Sequence, residues 1–259
     1  MRFQKTHEGD IPELKRLWKQ AFGDTDAEIE GFFRDAFPGC MGFAARDEEH
    51  IAAMCFALPQ EIVCADEALP AAYLYAVATE GSYRGRGLCR QLLEFAEKTL
   101  RKRGFACLML VPADESLAAM YRKLGYEGPA RGMRSVPAPA AVGHAEKIGA
   151  IEYAGLRETL LWDEPHVRYG KAWLEYEAQD AAFYALRLGA ASGCAAAVRL
   201  PDGTVRVDEL LPDVRFLPAL QEALRAERYT LPEEPSAMCR WLTQPPAGWE
   251  KIYLGFDFA

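Results

Sequence analysis

The residues best suited to chemistry lie in a glycine-rich basic turn between an apolar segment and an amphipathic one. The apolar segment, residues 76–79, is Ala-Val-Ala-Thr, and the turn, residues 83–90, is Tyr-Arg-Gly-Arg-Gly-Leu-Cys-Arg. Gly85 and Gly87 let backbone N–H groups approach a ligand, and the helix predicted to follow has a partially positive N-terminus. The cationic side chains of the turn are Arg84, Arg86 and Arg90. The pattern predicts a pyrophosphate-binding turn, although two glycines are also typical of an ordinary strand-to-helix connection.

A second segment, residues 102–126, has the elements expected to complete such a site. It contains an apolar strand candidate, an acidic turn and a short helix that ends in Tyr-Arg-Lys-Leu-Gly-Tyr, residues 121–126. Together the two segments resemble the GCN5-related N-acetyltransferases (GNAT), whose motifs are Arg/Gln-x-x-Gly-x-Gly/Ala and Tyr-x-Lys-x-Gly-Phe/Tyr. Residues 84–89 match the first motif except at Cys89, a replacement similar to those of the Eis-like branch. The resemblance covers roughly residues 70–127.

The resemblance implies an α/β acyl-CoA N-acyltransferase fold, with a mixed, splayed central sheet flanked by helices. It also implies direct transfer of an acetyl group from acetyl-CoA to a primary amine. In the family, a bulged strand binds the pantetheine arm through its backbone, and one N–H group polarises the thioester oxygen. The strand positions that match are Val77, Ala78 and Thr79. The other implied cofactor contacts are Arg84, Gly85, Arg86, Gly87, Leu88, Cys89, Arg90 and Ser116.

Two of these contacts have simpler alternatives. Ser116 lies where many relatives place a pantetheine-binding Asn, but that Asn is absent, and Asp114 beside it is also a natural helix cap. Cys89 lies in the first turn of a predicted helix, where the pKa of a thiol can fall. No partnered histidine is evident near it, so we expect a packing thiol and not a nucleophile.

The resemblance also implies acid and base roles. Tyr121 matches the family tyrosine that protonates the departing thiolate, and a phenol pKa of ~10 lies near that of an alkyl thiol. A core tyrosine on an amphipathic helix would have the same sequence context. Tyr73 occupies the position at which some members carry a glutamate base. Glu80 is the substitute candidate, and a solvated turn residue is the alternative interpretation.

Composition argues against several other classes of function. The net charge of −8 disfavours a nucleic-acid-binding protein, which needs a concentrated basic surface. No apolar run reaches the ~20 residues that span a bilayer, and the first ten residues lack the apolar core of a signal peptide. The seven cysteines form no CxxC pair and the four histidines have no ligand spacing, so we expect a cytoplasmic protein with reduced thiols and no metal. The expected partners are a small-molecule or peptide amine and a second copy in a homodimer, with no nucleic acid and no membrane.

Two domains are predicted. Residues 1–136 form the acetyltransferase domain, with helices over 10–22 and 24–37 and a strand near 131–136 that completes its sheet. Residues 137–150, rich in proline, glycine and alanine, form a linker. Residues 151–259 repeat the element order of the first half: two helices, a three-strand meander, a polar break, a helix and further strands.

The repeat predicts a degenerate GNAT-like α+β domain, and the alternative is a sterol-carrier-like domain, as the Eis-like enzymes carry. The break at 211–213 lacks Arg-x-x-Gly-x-Gly, so we expect no cofactor there. In the Eis-like branch the chain-terminal carboxylate lies in the active site, and the apolar residues 254–259 are compatible with that role. Two functions stay open: an acetyl-CoA-dependent N-acetyltransferase, or a non-catalytic acyl-CoA-binding interaction protein.

Overall fold

Two mixed β-sheets carry the fold in the computed structural model, which describes residues 1–64, 67–128, 132–233 and 237–256. The strands of the first half are β1 (Arg2–Lys5), β2 (Met41–Asp47), β3 (His50–Cys64), β4 (Glu67–Thr79), β5 (Cys107–Leu110) and β6 (Met133–Pro137). Its helices are α1 (Ile11–Phe22), α2 (Asp26–Gly31, continued by a π-helical turn Phe32–Ala36), α3 (Leu88–Lys102) and α4 (Glu115–Lys123). The strands of the second half are β7 (His144–Ile148), β8 (His166–Arg168), β9 (Ala182–Leu188), β10 (Ala191–Arg199), β11 (Val205–Leu211), β12 (Arg228–Pro232) and β13 (Met238–Trp241). Its helices are α5 (Ala150–Leu160), α6 (Lys171–Glu177) and α7 (Leu217–Leu224).

The two sheets have the same strand order and the same strand directions. The first sheet runs β1-β2-β3-β4-β5-β13, with β8 paired to β3, and the second runs β7-β9-β10-β11-β12-β6. In each sheet the fourth and fifth strands of that order, β4–β5 and β11–β12, are parallel, and the other neighbours along it are antiparallel. This confirms the predicted fold class, and the repeated topology favours a GNAT-like second half over a sterol-carrier-like one.

The last strand of each sheet comes from the other half of the chain. The strand predicted near 131–136 forms as β6, but it pairs with β12 of the second sheet, so its placement in the first sheet was wrong. Its place beside β5 is taken by β13. The predicted linker 137–150 also contains β7, an edge strand of the second sheet. Strand patterning shows which residues face a core, but it does not show which of two similar sheet edges a strand will join.

The two faces of the first sheet pack against different partners. One face is covered by α3, whose buried residues recur at helical spacing: Leu88, Leu92, Leu93, Ala96 and Leu100. The other face packs against α1, α2 and the second half, so that Trp18, Phe32 and Phe56 lie in one apolar core with Tyr153 and Phe256. Because this core is shared, the second half forms part of the surroundings of β4.

The N-terminal helices form as the sequence predicts. Pro12 lies in the first turn of α1, and Gly23 ends the helix in the left-handed conformation, with φ 79°. Asp10 precedes α1, but its side chain does not cap the helix. It is buried and forms an ion pair with Arg46 of β2. The helix predicted over 24–37 begins after Thr25, whose hydroxyl accepts from the Glu28 amide.

Candidate active site

The parallel strands β4 and β5 separate in the middle of the first sheet. They pair only where Ala71–Tyr73 lie beside Cys107–Met109. Beyond this point the strands diverge, and a cavity of about 520 Å³ opens between them. The residues that line it are Trp18, Phe22, Asp24, 73–77, 110–113, Leu117, Tyr121 and Met133. Among the described elements, no strand pairs with the β4 edge that faces the cavity beyond Tyr73.

A β-bulge lies in β4 at the cavity. The pairing with β3 shifts register between Met54 and Phe56, where β4 places Ala76 and Val77 opposite one residue, Cys55. Ala76 has φ +48°, which is costly for a residue with a side chain and is typical of functional strands. Val77 lines the cavity, whereas the predicted contacts Ala78 and Thr79 lie beyond it, paired with Met54 and Ala53.

The predicted pyrophosphate-binding turn has the geometry that an anion requires. Gly85 and Gly87 have φ +75° and +73°, and a Cβ at Gly85 would meet only open space. Gly87 is the N-cap of α3, so no side chain caps the amides of Leu88, Cys89 and Arg90. An uncapped N-terminus of a 15-residue helix with glycines before it fits a diphosphate.

The cationic side chains surround the turn at the surface. Arg84 Nε donates to the Thr79 carbonyl over 3.0 Å, and the Arg86 guanidinium lies 5.1 Å from the centre of the Tyr83 ring. Arg90 forms an ion pair with Glu94 at 3.0 Å. Burial raises the pKa of Cys89 to about 11, so this half-buried residue is a neutral packing thiol, as expected.

Replacing Gly87 with alanine is expected to weaken coenzyme A binding by about tenfold, because an L-residue resists the left-handed conformation by about 1 kcal/mol and the loop amides would move. Gly104→Ala is the matched control. Gly104 also has positive φ and open space around it, but it follows the C-terminus of α3. Calorimetric titration with coenzyme A should show weaker binding for Gly87→Ala alone. Equal affinities of the two variants would contradict a ligand at this turn.

Tyr121 lies on α4 and lines the cavity, with 6% of its surface exposed. Its ring packs edge-on against Tyr126, with centroids 5.6 Å apart. Burial raises the pKa of Tyr121 above its ordinary value, and the neighbouring thiols Cys89 and Cys55 add to the shift. The side chain is therefore a protonated phenol beside the cavity.

Glu80 lies outside the cavity lining, in a polar cluster at the end of β4. Its carboxylate contacts His50 Nε2 at 2.7 Å, Ser82 Oγ at 2.9 Å and Arg16 Nη1 at 3.0 Å. Burial opposes ionisation, but these hydrogen bonds outweigh it and lower the pKa of Glu80. The lowered pKa makes the Glu80 carboxylate a weaker base, and its oxygens already contact three side chains. Both observations favour a structural role for Glu80. The base role of Glu80 stays a prediction.

The sequence-predicted contact Ser116 lies exposed in the first turn of α4 and outside the cavity lining. Asp114 is the N-cap of that helix, and its carboxylate accepts from the Leu117 amide over 2.8 Å. The capping interpretation of Asp114 is thus confirmed, while a cofactor contact at Ser116 stays a prediction. Residues 257–259, including the chain-terminal carboxylate, lie outside the described residues.

Asp24 is a cavity residue that sequence reasoning missed. It follows Gly23 at the end of α1, and its Oδ2 accepts from the Trp18 indole N–H over 2.7 Å. Trp18 and Phe22 also line the cavity, and Phe32 packs against Trp18 outside the lining, with 4.7 Å between ring centroids. The available signal in the sequence was an aspartate, Asp24, two residues after the aromatic residue Phe22 that ends the helix.

The matching position of the second half has a similar strand pair but a different start to its helix. The parallel pair β11–β12 also separates early, after Arg206, and β11 carries a bulge around Asp208. At the following break, Asp213 accepts from the Arg215 amide over 2.9 Å, so a carboxylate caps the helical turn where the first half leaves amides free. This supports the prediction that the second half binds no diphosphate.

A buried polar network lies behind that bulge. Arg157 of α5 donates from Nε to Glu209 of β11 at 2.9 and 3.0 Å, and Tyr153 donates its hydroxyl to the same carboxylate. Arg157 also donates to the carbonyls of Val167 at 2.7 Å and Leu254 at 3.1 Å. The network joins α5, β11, β8 and the C-terminal segment.

Over the described ranges, no group of histidine, cysteine, aspartate or glutamate side chains has the arrangement of a metal site. The same ranges contain no helix with the length and apolar character of a membrane span.

Residues 2–128 match the family model described as "Acetyltransferase (GNAT) domain". A comparison with curated proteins finds no match. Among solved structures, a conserved protein from Enterococcus faecalis V583 has 16% identity and a TM-score of 0.70, with 93% of this chain and 72% of that chain covered. A GCN5-related N-acetyltransferase from Kribbella flavida has 19% identity and a TM-score of 0.70, with 93% and 71% covered. Eis1 from Mycobacterium abscessus has 14% identity and a TM-score of 0.60, with 89% and 65% covered.

At these identities the solved structures show the shared fold, and the family match shows the kind of domain. The matched range contains the bulged strand and Tyr121, which line the cavity, and the glycine turn that precedes α3. Residues 2–128 of this chain therefore form a domain of the GNAT acetyltransferase family.

Proposed function

We propose that this acetyltransferase moves an acetyl group from acetyl-CoA to a primary amine by direct attack, with Tyr121 as the general acid. The observation that carries the proposal is the cavity between the bulged β4 and β5, which Tyr121 lines. A bulged strand with a free edge, a protonated phenol and an uncapped helix N-terminus are the groups that this reaction needs.

Each group has a distinct task. The amides at the start of α3 and the arginines 84, 86 and 90 would hold the diphosphate, and the open edge of β4 around Val77 would hold the pantetheine arm. Acetyl-CoA supplies an activated acetyl thioester when bound. A β4 amide facing the cavity would hydrogen-bond the thioester oxygen, where negative charge develops. As the N–C bond forms and the C–S bond breaks, the Tyr121 hydroxyl would give its proton to the departing sulfur, and the proton lost from the amine nitrogen would restore the hydroxyl.

The pH dependence follows from the protonated state of Tyr121. We expect kcat/KM to rise with pH as the amine loses its proton, and to show no fall below about pH 10, because burial raises the pKa of Tyr121 above its ordinary value. The measurement is initial-rate thiol release across pH, corrected for spontaneous thioester hydrolysis. A descending limb centred below about pH 9, in protein that circular dichroism shows to be folded, would contradict this role.

The test of the function itself is thiol release from acetyl-CoA with a panel of amines: arylalkyl amines, alkyl amines, polyamines, an aminoglycoside and a peptide with a free N-terminus. Amine-dependent release with the acetylated product in mass spectra supports the transferase. Coenzyme A binding by calorimetry without release for any amine supports the non-catalytic alternative. The acetyl-CoA cosubstrate, the amine acceptor and the absence of nucleic-acid and membrane partners are all parts of the proposal.

A further inference from the structure

One end of the cavity is an aromatic wall built on α1. Trp18 and Phe22 are four residues apart and so lie on one face of the helix. The Trp18 ring packs edge-on against Phe22 at 5.8 Å and against Tyr75 of β4 at 5.5 Å between centroids. Phe32 and Phe56 pack behind Trp18 at 4.7 and 5.8 Å. The core therefore holds Trp18, the centre of the wall, in place, while Phe22 extends the wall toward the mouth of the cavity.

A single carboxylate lies at the edge of this wall. Asp24 is held there by the hydrogen bond from the Trp18 indole, which occupies Oδ2. No other formally charged side chain is present among the described residues that line the cavity. A cationic group that enters the cavity thus meets one carboxylate, and its uncharged remainder meets rings and aliphatic side chains.

The mouth of the cavity exposes large apolar side chains. Phe22 is 46% exposed, Met133 42% and Leu117 38%. Single exposed apolar residues are ordinary, but three around one opening form a patch that a ligand can cover. A volume of about 520 Å³ is that of a small-molecule site.

We infer that the acceptor is a small primary amine carried on an aromatic or branched aliphatic group. Asp24 attracts its ammonium form, and the wall of Trp18, Phe22 and Tyr75 takes its apolar body. A polyamine would place further ammonium groups against apolar surface that offers them no counter-charge, at a cost in desolvation. This inference rests on the proposed acetyl transfer.

The test compares phenethylamine, isopentylamine and putrescine as acceptors for the full chain at saturating acetyl-CoA. We expect kcat/KM for phenethylamine to exceed that for putrescine by about tenfold or more, since burying the ring stabilises the bound amine. Equal or better use of putrescine overturns the inference and leaves the acetyl transfer intact. Coenzyme A binding with no thiol release from any amine overturns the acetyl transfer itself.

Two substitutions test the contributions of the aromatic wall and of the carboxylate separately. Phe22→Ala, at a half-exposed position, should lower kcat/KM for phenethylamine by about tenfold and change that for putrescine little.

Asp24→Asn keeps an acceptor for the Trp18 indole and should raise KM for every amine by about tenfold, with KM for acetyl-CoA unchanged. The control is Asp26→Asn, two residues on and paired with the exposed Lys19, where we expect no change. An unchanged KM for amines in Asp24→Asn would overturn the role of the carboxylate.

Discussion

Tyr121→Phe is expected to lower kcat by roughly a hundredfold to ten-thousandfold, the usual contribution of a positioned general acid. The substitution removes only the hydroxyl and keeps the ring that packs against Tyr126. The turn proposed to bind the diphosphate is on a different element, the start of α3, so the affinity for coenzyme A should not change. The measurements are thiol release under saturating amine and calorimetric titration with coenzyme A.

Tyr126→Phe is the matched control for this experiment. Tyr126 lies five residues on, is buried to a similar degree and contacts the same ring, but it does not line the cavity. A structural effect of losing a buried phenol would appear in both variants, whereas a loss of proton donation would appear only in Tyr121→Phe. Similar kcat values for the two variants would show that Tyr121 is not the acid.

Arg157→Met is expected to reduce the free energy of unfolding by about 3–5 kcal/mol, because it leaves the carboxylate of Glu209 buried without its charged partner. Both side chains are at most 1% exposed. Burial by itself would lower the pKa of Arg157, but the adjacent Glu209 outweighs it and raises that pKa, so Arg157 keeps its proton at every accessible pH. The substitution also removes hydrogen bonds to the carbonyls of Val167 and Leu254. Urea denaturation followed by circular dichroism measures the loss.

Two further variants test whether the loss of stability in Arg157→Met arises from an unpaired buried charge. Lys171→Met removes an exposed ion pair to Glu175 in the same half, and it should change stability little, since such pairs are screened by water. The double variant Arg157→Met with Glu209→Leu replaces the pair by apolar groups and should recover much of the lost stability. If the double variant is no more stable than Arg157→Met, the loss does not arise from an unpaired charge.

The parts of the site that the sequence predicted well are local. The residues of the glycine turn are adjacent in the chain, and the positive φ of Gly85 and Gly87 is a property of the residue type. The helix over α3 follows from apolar residues at helical spacing, and the Asp114 cap from its position before α4. In such cases the interacting groups lie within a few residues of each other in the chain, so the residue types and their order are sufficient to predict the local structure.

The parts that the sequence did not predict depend on long-range contacts. Two of the three partners described for Glu80, Arg16 and His50, are far away in the chain, and the sequence does not show that they hold its carboxylate. Asp24 became a cavity residue only because α1 packs across β4. The exchange of β6 and β13 also escaped prediction, because both sheets offer the same kind of edge.

The sequence by itself determined the glycine-rich basic turn, the helix that follows it, the helical position of the candidate acid Tyr121 and the repeat of elements in the second half. These depend on backbone preferences, helical spacing and motif order, which act over short separations. Only the tertiary structure decided that the two halves complete each other's sheets, that a buried Arg157–Glu209 pair lies behind the second bulge, and that an aromatic wall with one carboxylate faces the first. Those outcomes depend on which surfaces of the folded chain contact each other. The free energies of packing and desolvation decide this, and they involve residues far apart in the sequence.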